Sequence, residues 1–162
     1  MRLNLGAGDD RRDGYLGVDC RLAAATDILA DIRGLPFKDE SAEVVLALDI
    51  MEHLQRYELK VVFAELFRIT KSGGELYIKT PNLDSLVHAY IKQEIPFEEF
   101  ERKVYGDQTY AAESCPENTH KTGFNSDMIV RRLKEAGFND IEIQEIGPNY
   151  DWSNMIIKAI KT

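Results

Sequence analysis

The chain has 162 residues, a length that suits one domain over residues 1–162 with a buried core. Its formal net charge is −8, which argues against nucleic-acid and anionic-membrane partners because phosphates need a basic surface. No apolar run approaches the roughly 20 residues of a membrane span, and we see no secretory signal before the first predicted strand. We therefore expect a cytoplasmic protein with a small-molecule substrate and no nucleic-acid or membrane partner.

The two cysteines, Cys20 and Cys115, form neither a metal-binding spacing nor a disulfide framework. We expect both to be small, half-buried side chains in a reducing compartment. We also expect no metal site.

The first half of the chain predicts four short strands and one long helix. A compact apolar run, EVVLAL, is typical of a buried parallel strand. In the helix, apolar residues follow the i, i+3, i+4, i+7 spacing, and Gly73 or Gly74 is the expected C-cap. In chain order the predicted strands are Arg2–Leu5, Tyr15–Asp19, Thr26–Asp31 and Glu43–Leu48, and the helix is His53–Thr70.

The second half predicts a strand, two helices and a final pair of strands. Residues 96–125 show no clear period, and we interpret them as an irregular segment on the substrate side. The last helix is expected to begin at the N-cap Ser126 and to end at Gly137. The predicted elements are the strand Glu75–Thr80, the helices Asp84–Glu94 and Asp127–Ala136, and the strands Ile141–Ile146 and Asn154–Ile160.

Alternating strands and helices predict an α/β, Rossmann-like, mostly parallel sheet of about seven strands. The loop GPNYDWS is too short for a crossover, so the last two strands can pair antiparallel. The helix complement is reduced, because only nine residues, Gly6 to Gly14, separate the first two strands. Either a second copy of the chain or the 96–125 segment is expected to cover part of the sheet.

Residues that can bind a ligand lie at the carboxyl ends of four of the predicted strands. They are the turn Gly6-Ala7-Gly8 and the acids Asp19, Asp31 and Asp49. In open α/β sheets, ligands bind beyond the carboxyl ends of the strands. The chain lacks the third glycine of a pyrophosphate-binding turn, and clustered acids would repel a pyrophosphate. They suit a ligand with a ribose diol and a positive centre, a description that fits S-adenosylmethionine.

Four segments in order resemble the class I S-adenosylmethionine-dependent methyltransferases, type 11-like and with short loops. They are LNLGAG with the acid after the second strand, DIRGLPFKDESAEVVLALDIMEHL, ELFRITKSGGELYIKTPN and FNSDMIVRRLKEAGFNDIEI. The resemblance covers about residues 2–81 and 122–160, with Ser72 where proline is common.

The resemblance implies methyltransferase activity, S-adenosylmethionine as cofactor and a set of binding residues. Asp19 would bind the ribose hydroxyls, and Asp31 would accept from the adenine amino group. The other implied positions are Leu5, Gly6, Ala7 and Gly8 under the methionine part, Cys20 and Ile32 beside the adenine, and Leu48 and Asp49 near the methionine amine.

The methyl acceptor is not identified by the sequence, and no catalytic residue is assigned. A general base is needed only where the acceptor must lose a proton. His53 and His120 are the candidates, while His88 is expected to face solvent from a helix. Sugars, small metabolites and protein groups all stay open as acceptors. A non-catalytic nucleoside-binding module of the same fold and a nucleotide-sugar or NAD enzyme are the alternative interpretations.

Overall fold

The computed structural model describes residues 1–108, 118–145 and 153–162, and these form a seven-stranded sheet with helices. In chain order the elements are β1 (Arg2–Leu5), β2 (Leu16–Asp19), β3 (Ile28–Leu29), β4 (Ala42–Leu48), a 3₁₀ turn (Met51–His53), α1 (Leu59–Ile69), β5 (Thr70–Pro81), α2 (Leu83–Ile91), α3 (Phe97–Tyr105), α4 (Ser126–Ala136), β6 (Asn139–Glu145) and β7 (Asn154–Ile160). Within these ranges, no helix has both the length and the apolar character needed to cross a bilayer.

The strand order is β3-β2-β1-β4-β5-β7-β6, with β7 antiparallel to both of its neighbours. The remaining pairs that the register defines, from β3 across to β5, are parallel. The predicted Rossmann-like sheet and its antiparallel C-terminal pair are therefore confirmed. The carboxyl ends of β1, β2 and β4 meet at one edge, where a ligand site is expected.

The main core lies between one face of the sheet and the helices α1 and α4. Fully buried side chains of the central strands, such as Val45 and Ile78, pack with Phe63 and Leu66 of α1. Burial of such side chains supplies most of the favourable free energy of folding. Helices α2 and α3 form a separate small cluster around Leu86 and therefore do not extend this core.

Two short loops replace the helices that normally join β1 to β2 and β2 to β3. The amide of Ala25 donates to the Gly8 carbonyl (2.9 Å), and the Asp27 amide donates to the Gly17 carbonyl (2.8 Å). The side chain of Arg11 pairs with Asp27 at 2.7 Å, which joins the first loop to the second. Because the loops bond to each other and to β2, no full helix is needed to close these two connections.

Several predicted boundaries are wrong, and each error has a local cause. The helix expected over His53–Thr70 begins at Leu59, because Leu54 is extended and separates the 3₁₀ turn from α1. It ends at Ile69 without a glycine cap, since Thr70 is already extended and starts β5. The glycines at 73 and 74 lie inside β5, where they exchange backbone bonds with Lys161.

Three further predictions need correction. The 96–125 segment is not wholly irregular, because Phe97–Tyr105 forms α3, which packs on α2 rather than on the sheet. The cap of α4 is Asn125, whose side chain accepts from the Met128 amide at 3.0 Å, and not Ser126. Cys20 is exposed rather than half-buried, and Cys115 lies outside the described residues.

Candidate cofactor cleft and adjoining histidines

The glycine turn after β1 adopts a left-handed backbone conformation that residues other than glycine rarely adopt. Gly6 has a φ of 67° and Gly8 a φ of 49°, both in the left-handed region. A Cβ atom at Gly6 would lie 2.7 Å from Cδ1 of Ile50. The turn is held by the amides of Gly6 and Ala7, which both donate to the Val18 carbonyl of the neighbouring strand. Glycine at position 6 therefore allows the left-handed backbone of the turn and avoids a steric clash with Ile50.

A cleft of about 370 Å³ opens beside this turn, at the carboxyl ends of β1, β2 and β4. This volume lies in the range of small-molecule and cofactor sites. Ala7 and Leu48, both predicted to bind the cofactor, do not line it; Ala7 is buried beneath the turn and Leu48 is half-buried in β4. The predicted residues that do line it are Leu5, Gly6, Gly8, Asp19, Cys20, Asp31, Ile32 and Asp49.

Asp19 ends β2 and is 6% exposed. One of its carboxylate oxygens accepts from the Gly8 amide at 2.8 Å, and the other accepts from the Arg21 amide at 2.9 Å. Each carboxylate oxygen has a second lone pair, so both can still accept from a ligand hydroxyl. Asp19 thus ties the glycine turn to β2 and presents acceptor capacity to the cleft.

Asp31 lies two residues beyond β3 and is held by a side chain that the sequence analysis missed. The guanidinium of Arg33 bonds both oxygens of Asp31 and reaches Glu58 at 2.5 Å. Hydrogen bonding from Arg33 lowers the pKa of Asp31 below its usual value. Arg33 and Glu58 also line the cleft. Arginine two residues after the predicted acid is the sequence feature that indicates this pair.

Asp49 follows β4 in a left-handed conformation, with a φ of 53°. Its amide donates to the Lys79 carbonyl at 2.9 Å, and its carboxylate pairs with the Lys79 ammonium group. Aspartate tolerates this backbone region better than most residues, and such strain is frequent at functional sites. The bend carries the chain from β4 directly into the 3₁₀ turn beside the cleft.

The two histidines named from the sequence as candidate bases come together in the structure. The rings of His53 and His120 have centroids 5.1 Å apart, at an interplanar angle of 67°. His53 lines the cleft, and His120 lies behind it without lining it. Burial lowers the pKa of both imidazoles. His88 is exposed on α2, as predicted.

Glu52 lies beside these histidines, with ligand atoms of all three residues within 4.8 Å of one another, and its role was not predicted from the sequence. Its side chain is 3% exposed, and one carboxylate oxygen accepts from the Thr80 hydroxyl at 3.0 Å. Burial raises the pKa of Glu52 to about 7. The sequence signal for Glu52 is its position next to the candidate base His53, four residues after the end of β4.

The segment that carries His120 is fastened to the 3₁₀ turn by its backbone. The amides of Lys121 and Thr122 both donate to the Glu52 carbonyl, at 2.8 and 3.1 Å. The Thr122 hydroxyl donates to the Leu54 carbonyl at 2.7 Å. These bonds join residues almost 70 positions apart, so the juxtaposition of the histidines could not be found from sequence spacing.

The sequence is similar to known proteins, and these similarities indicate a family. Residues 12–78 match the family model described as a methyltransferase domain. Over 68 residues the chain is 38% identical to the uncharacterized protein MJ0638 of Methanocaldococcus jannaschii, a match that covers 42% of this chain. The chain spans 27% of the length of that protein.

Solved structures share the fold over nearly the whole chain. A S-adenosylmethionine-dependent methyltransferase from Archaeoglobus fulgidus matches with a TM-score of 0.65 and 17% identity, covering 98% of this chain and 85% of that one. The 1,6-didemethyltoxoflavin-N1-methyltransferase of Burkholderia thailandensis, solved with S-adenosylhomocysteine, matches with a TM-score of 0.68 and 12% identity, covering 99% and 70%. The chain has the class I S-adenosylmethionine-dependent methyltransferase fold, and the predicted resemblance is confirmed.

Proposed function

We propose that this chain binds S-adenosylmethionine in the cleft and transfers its methyl group to a small-molecule or sugar acceptor. The observation that carries the proposal is the cleft itself, which places a left-handed glycine turn beside carboxylates from successive strand ends. The methyltransferase match and the cofactor product bound to a protein of the same fold support this ligand.

The chemistry of the cleft suits the two ends of that cofactor. The carboxylate of Asp19 has free lone pairs for the ribose hydroxyls, and charge-assisted hydrogen bonds of this kind are strong. Asp31 and the buried Ile32 would contact the adenine, with Arg33 orienting the carboxylate. The glycine turn leaves backbone close to the methionine part, while the acidic side chains favour a cationic sulfonium.

For methyl transfer, the protein must align the acceptor with the methyl group and shield the two from water. A lone pair of the acceptor forms the new bond to the methyl carbon as the S–CH₃ bond breaks, and its electron pair stays on sulfur. Residues on the open side of the cleft would contact the acceptor. His53, Asn118 and Lys121 line the cleft, and a cleft of about 370 Å³ suits a small or sugar-like acceptor better than a folded macromolecule.

The proposal extends to location and assembly. An exposed free thiol at Cys20 suits the reducing cytoplasm, and the charge of −8 disfavours nucleic acid. A homo-oligomer is also part of the proposal, because two short loops stand where crossover helices usually cover the sheet. Sedimentation at micromolar concentration tests this last part, and a strict monomer would refute it.

Isothermal titration with S-adenosylmethionine and S-adenosylhomocysteine tests the cofactor, and native mass spectrometry tests for retained ligand. We expect Asp19→Ala to weaken binding by roughly 1.5–3 kcal/mol, the scale of a hydrogen bond to a charge. Asp13→Ala is the matched control, since it removes an exposed charge outside the cleft. Equal affinity of the two variants would refute the role of Asp19.

Transfer of a radiolabelled methyl group to a panel of sugars and small metabolites then tests catalysis. Labelled product from one acceptor class, dependent on Asp19, would support the proposed enzyme. Binding without transfer to any acceptor in the panel would favour the alternative of a non-catalytic nucleoside-binding module.

A further inference from the structure

Three side chains at the edge of the cleft, of which His53 lines it, form a cluster with the chemistry of a cation site. One ligand atom from each of Glu52, His53 and His120 lies within 4.8 Å of the other two. Two of these residues are adjacent in the 3₁₀ turn, and the third comes from the segment before α4. A carboxylate and two imidazoles are a donor set that proteins use for divalent transition metals.

Hydrogen bonds at the far side of each ring orient the histidines for ligation. Nδ1 of His53 lies 3.2 Å from the Thr119 carbonyl, and Nδ1 of His120 lies 3.1 Å from the Lys103 carbonyl. A carbonyl oxygen can only accept, so each Nδ1 must carry the hydrogen. The neutral ring then has its lone pair on Nε2. Metal-ligating histidines usually make this outer bond, which fixes both tautomer and orientation.

The carboxylate of Glu52 is held in the same manner. Its buried position prevents it from turning to bulk solvent, and the Thr80 hydroxyl fixes one of its oxygens. The backbone carbonyl of Glu52 accepts from Lys121 and Thr122, which holds the two halves of the cluster together. The three donors are therefore fixed by the fold rather than gathered by flexible side chains.

We propose that Glu52, His53 and His120 bind one divalent first-row transition cation such as Mn²⁺ or Zn²⁺. Bonds of about 2.0–2.2 Å to oxygen and nitrogen place ligand atoms roughly 3–4.4 Å apart around an ion. The three ligand atoms of the cluster lie within 4.8 Å of one another, so small side-chain movements bring them to one ion. Mixed nitrogen and oxygen donors favour these ions over Mg²⁺ and Ca²⁺, which prefer oxygen alone. The sequence predicted no metal, because the ligands lie too far apart to form a recognisable spacing.

Charged groups around the cluster are consistent with a cation. The Asp49 carboxylate, three residues before Glu52, adds negative charge on the cleft side, partly offset by its pairing with Lys79. Lys121 is the adjoining positive side chain that lines the cleft. With three protein ligands, the ion would keep open positions for water or for a ligand atom.

Resting on the proposed function, the site also indicates a class of acceptor. His53 borders the cleft, so the open positions would face the acceptor side. An acceptor hydroxyl bound there would have its pKa lowered and would lose its proton to water. Its oxygen would then bond the methyl carbon while the S–CH₃ pair stays on sulfur. Ligation uses the same Nε2 lone pairs that a general base would need, so the two roles exclude each other.

Metal binding is tested on the full chain, stripped with a chelator and without S-adenosylmethionine. Equilibrium dialysis with MnCl₂ or ZnCl₂, read by elemental analysis, is expected to give one ion per chain, and MgCl₂ much weaker binding. Glu52→Gln and His120→Ala should each weaken Mn²⁺ binding at least tenfold. His88→Ala, which removes an exposed histidine on α2, is the matched control and should bind normally. Unchanged Mn²⁺ binding by His120→Ala would overturn the proposal.

A second measurement needs no variant. The chain has three histidines, so ¹⁵N-labelled imidazole spectra of the wild type are simple to assign. Added Zn²⁺ should shift Nε2 of His53 and His120 and leave His88 unchanged. Absence of both shifts, or a shift of His88 alone, would refute the site. Cofactor titration of the stripped protein is a separate readout, so failure of the metal site and failure of the proposed function are distinguishable.

Discussion

Gly17 in β2 provides the most direct test of how the short loops are built. A Cβ atom at this position would lie 1.9 Å from the carbonyl oxygen of Ala25. The contacted atom belongs to backbone, so no side-chain rotation can relieve the overlap. To restore an ordinary contact of about 3.3 Å, the second loop must move by roughly 1.4 Å. We therefore expect Gly17→Ala to displace the loop from the strand.

The cost can be estimated from the bonds that this movement breaks. The Ala25 amide bonds the Gly8 carbonyl, the Asp27 amide bonds the Gly17 carbonyl, and the Gly17 amide bonds the Asp27 carboxylate. At about 1 kcal/mol each, three lost bonds lower the free energy of unfolding by about 3 kcal/mol. For a domain of this size the melting temperature should fall by roughly 6–12 °C.

Urea and thermal unfolding, followed by circular dichroism, measure the change. Gly34→Ala is the matched control, because its Cβ atom would meet nothing within 4 Å and its backbone is not left-handed. The control should stay within about 0.5 kcal/mol of the wild type. If Gly17→Ala unfolds at the same urea concentration as Gly34→Ala, the loop does not lie against β2, and loop-to-strand bonds do not take the place of the missing helices.

Two other substitutions test the cleft and the support behind it. Gly6→Val should abolish detectable S-adenosylmethionine binding by titration, because the side chain enters the cleft beside Ile50; Gly14→Ala, with a φ of 78° but open space, carries similar backbone strain and should bind normally. Binding by the first variant would place the ligand elsewhere. Glu65→Gln should cost about 1–2 kcal/mol at pH 7 by urea unfolding, because the carboxylate accepts from the Leu35 amide and from a guanidinium. That guanidinium lowers the pKa of Glu65 in the folded state, so the difference from wild type should be full above about pH 4.5 and vanish as pH falls further. A difference that persists or grows in acid would contradict the interaction.

The sheet and the adenosyl side of the cleft could be predicted because their signals are local. The turn Gly6-Ala7-Gly8 directly follows β1, Asp19 is the last residue of β2, and Asp49 directly follows β4, so strand direction alone specifies where these residues lie. The carboxyl ends of parallel strands share one edge of the sheet, so these residues converge wherever the loops run. Eight of the ten predicted positions line the cleft for this reason.

The histidine side of the cleft, formed by the 3₁₀ turn and the segment before α4, could not be predicted. Its geometry depends on contacts between residues far apart in the sequence and on where the helices begin. Nothing in the periodicity shows that Leu54 is extended, and so the helix was expected to start six residues early. The partnership of Glu52 with His120 depends on backbone bonds from residues 121 and 122. Asn125 rather than Ser126 caps α4, and the sequence alone does not distinguish between two adjacent residues that are both good N-caps.

The adenosyl side of the site is therefore determined by local sequence, whereas the histidine side is determined by contacts between distant parts of the chain. The adenosyl side sits on strand ends and on the mutually bonded loops, so damage such as Gly17→Ala should weaken cofactor binding and stability together. The histidine side is joined to it through the 3₁₀ turn, whose Glu52 carbonyl receives two amides from the segment that carries His120. We expect side-chain substitutions in that cluster to leave these backbone bonds in place, because the bonds use no side-chain atom. Because these backbone bonds, and not the His120 side chain, hold the two sides together, variants of His120 should alter metal or acceptor binding while the adenosyl side keeps its affinity for the cofactor.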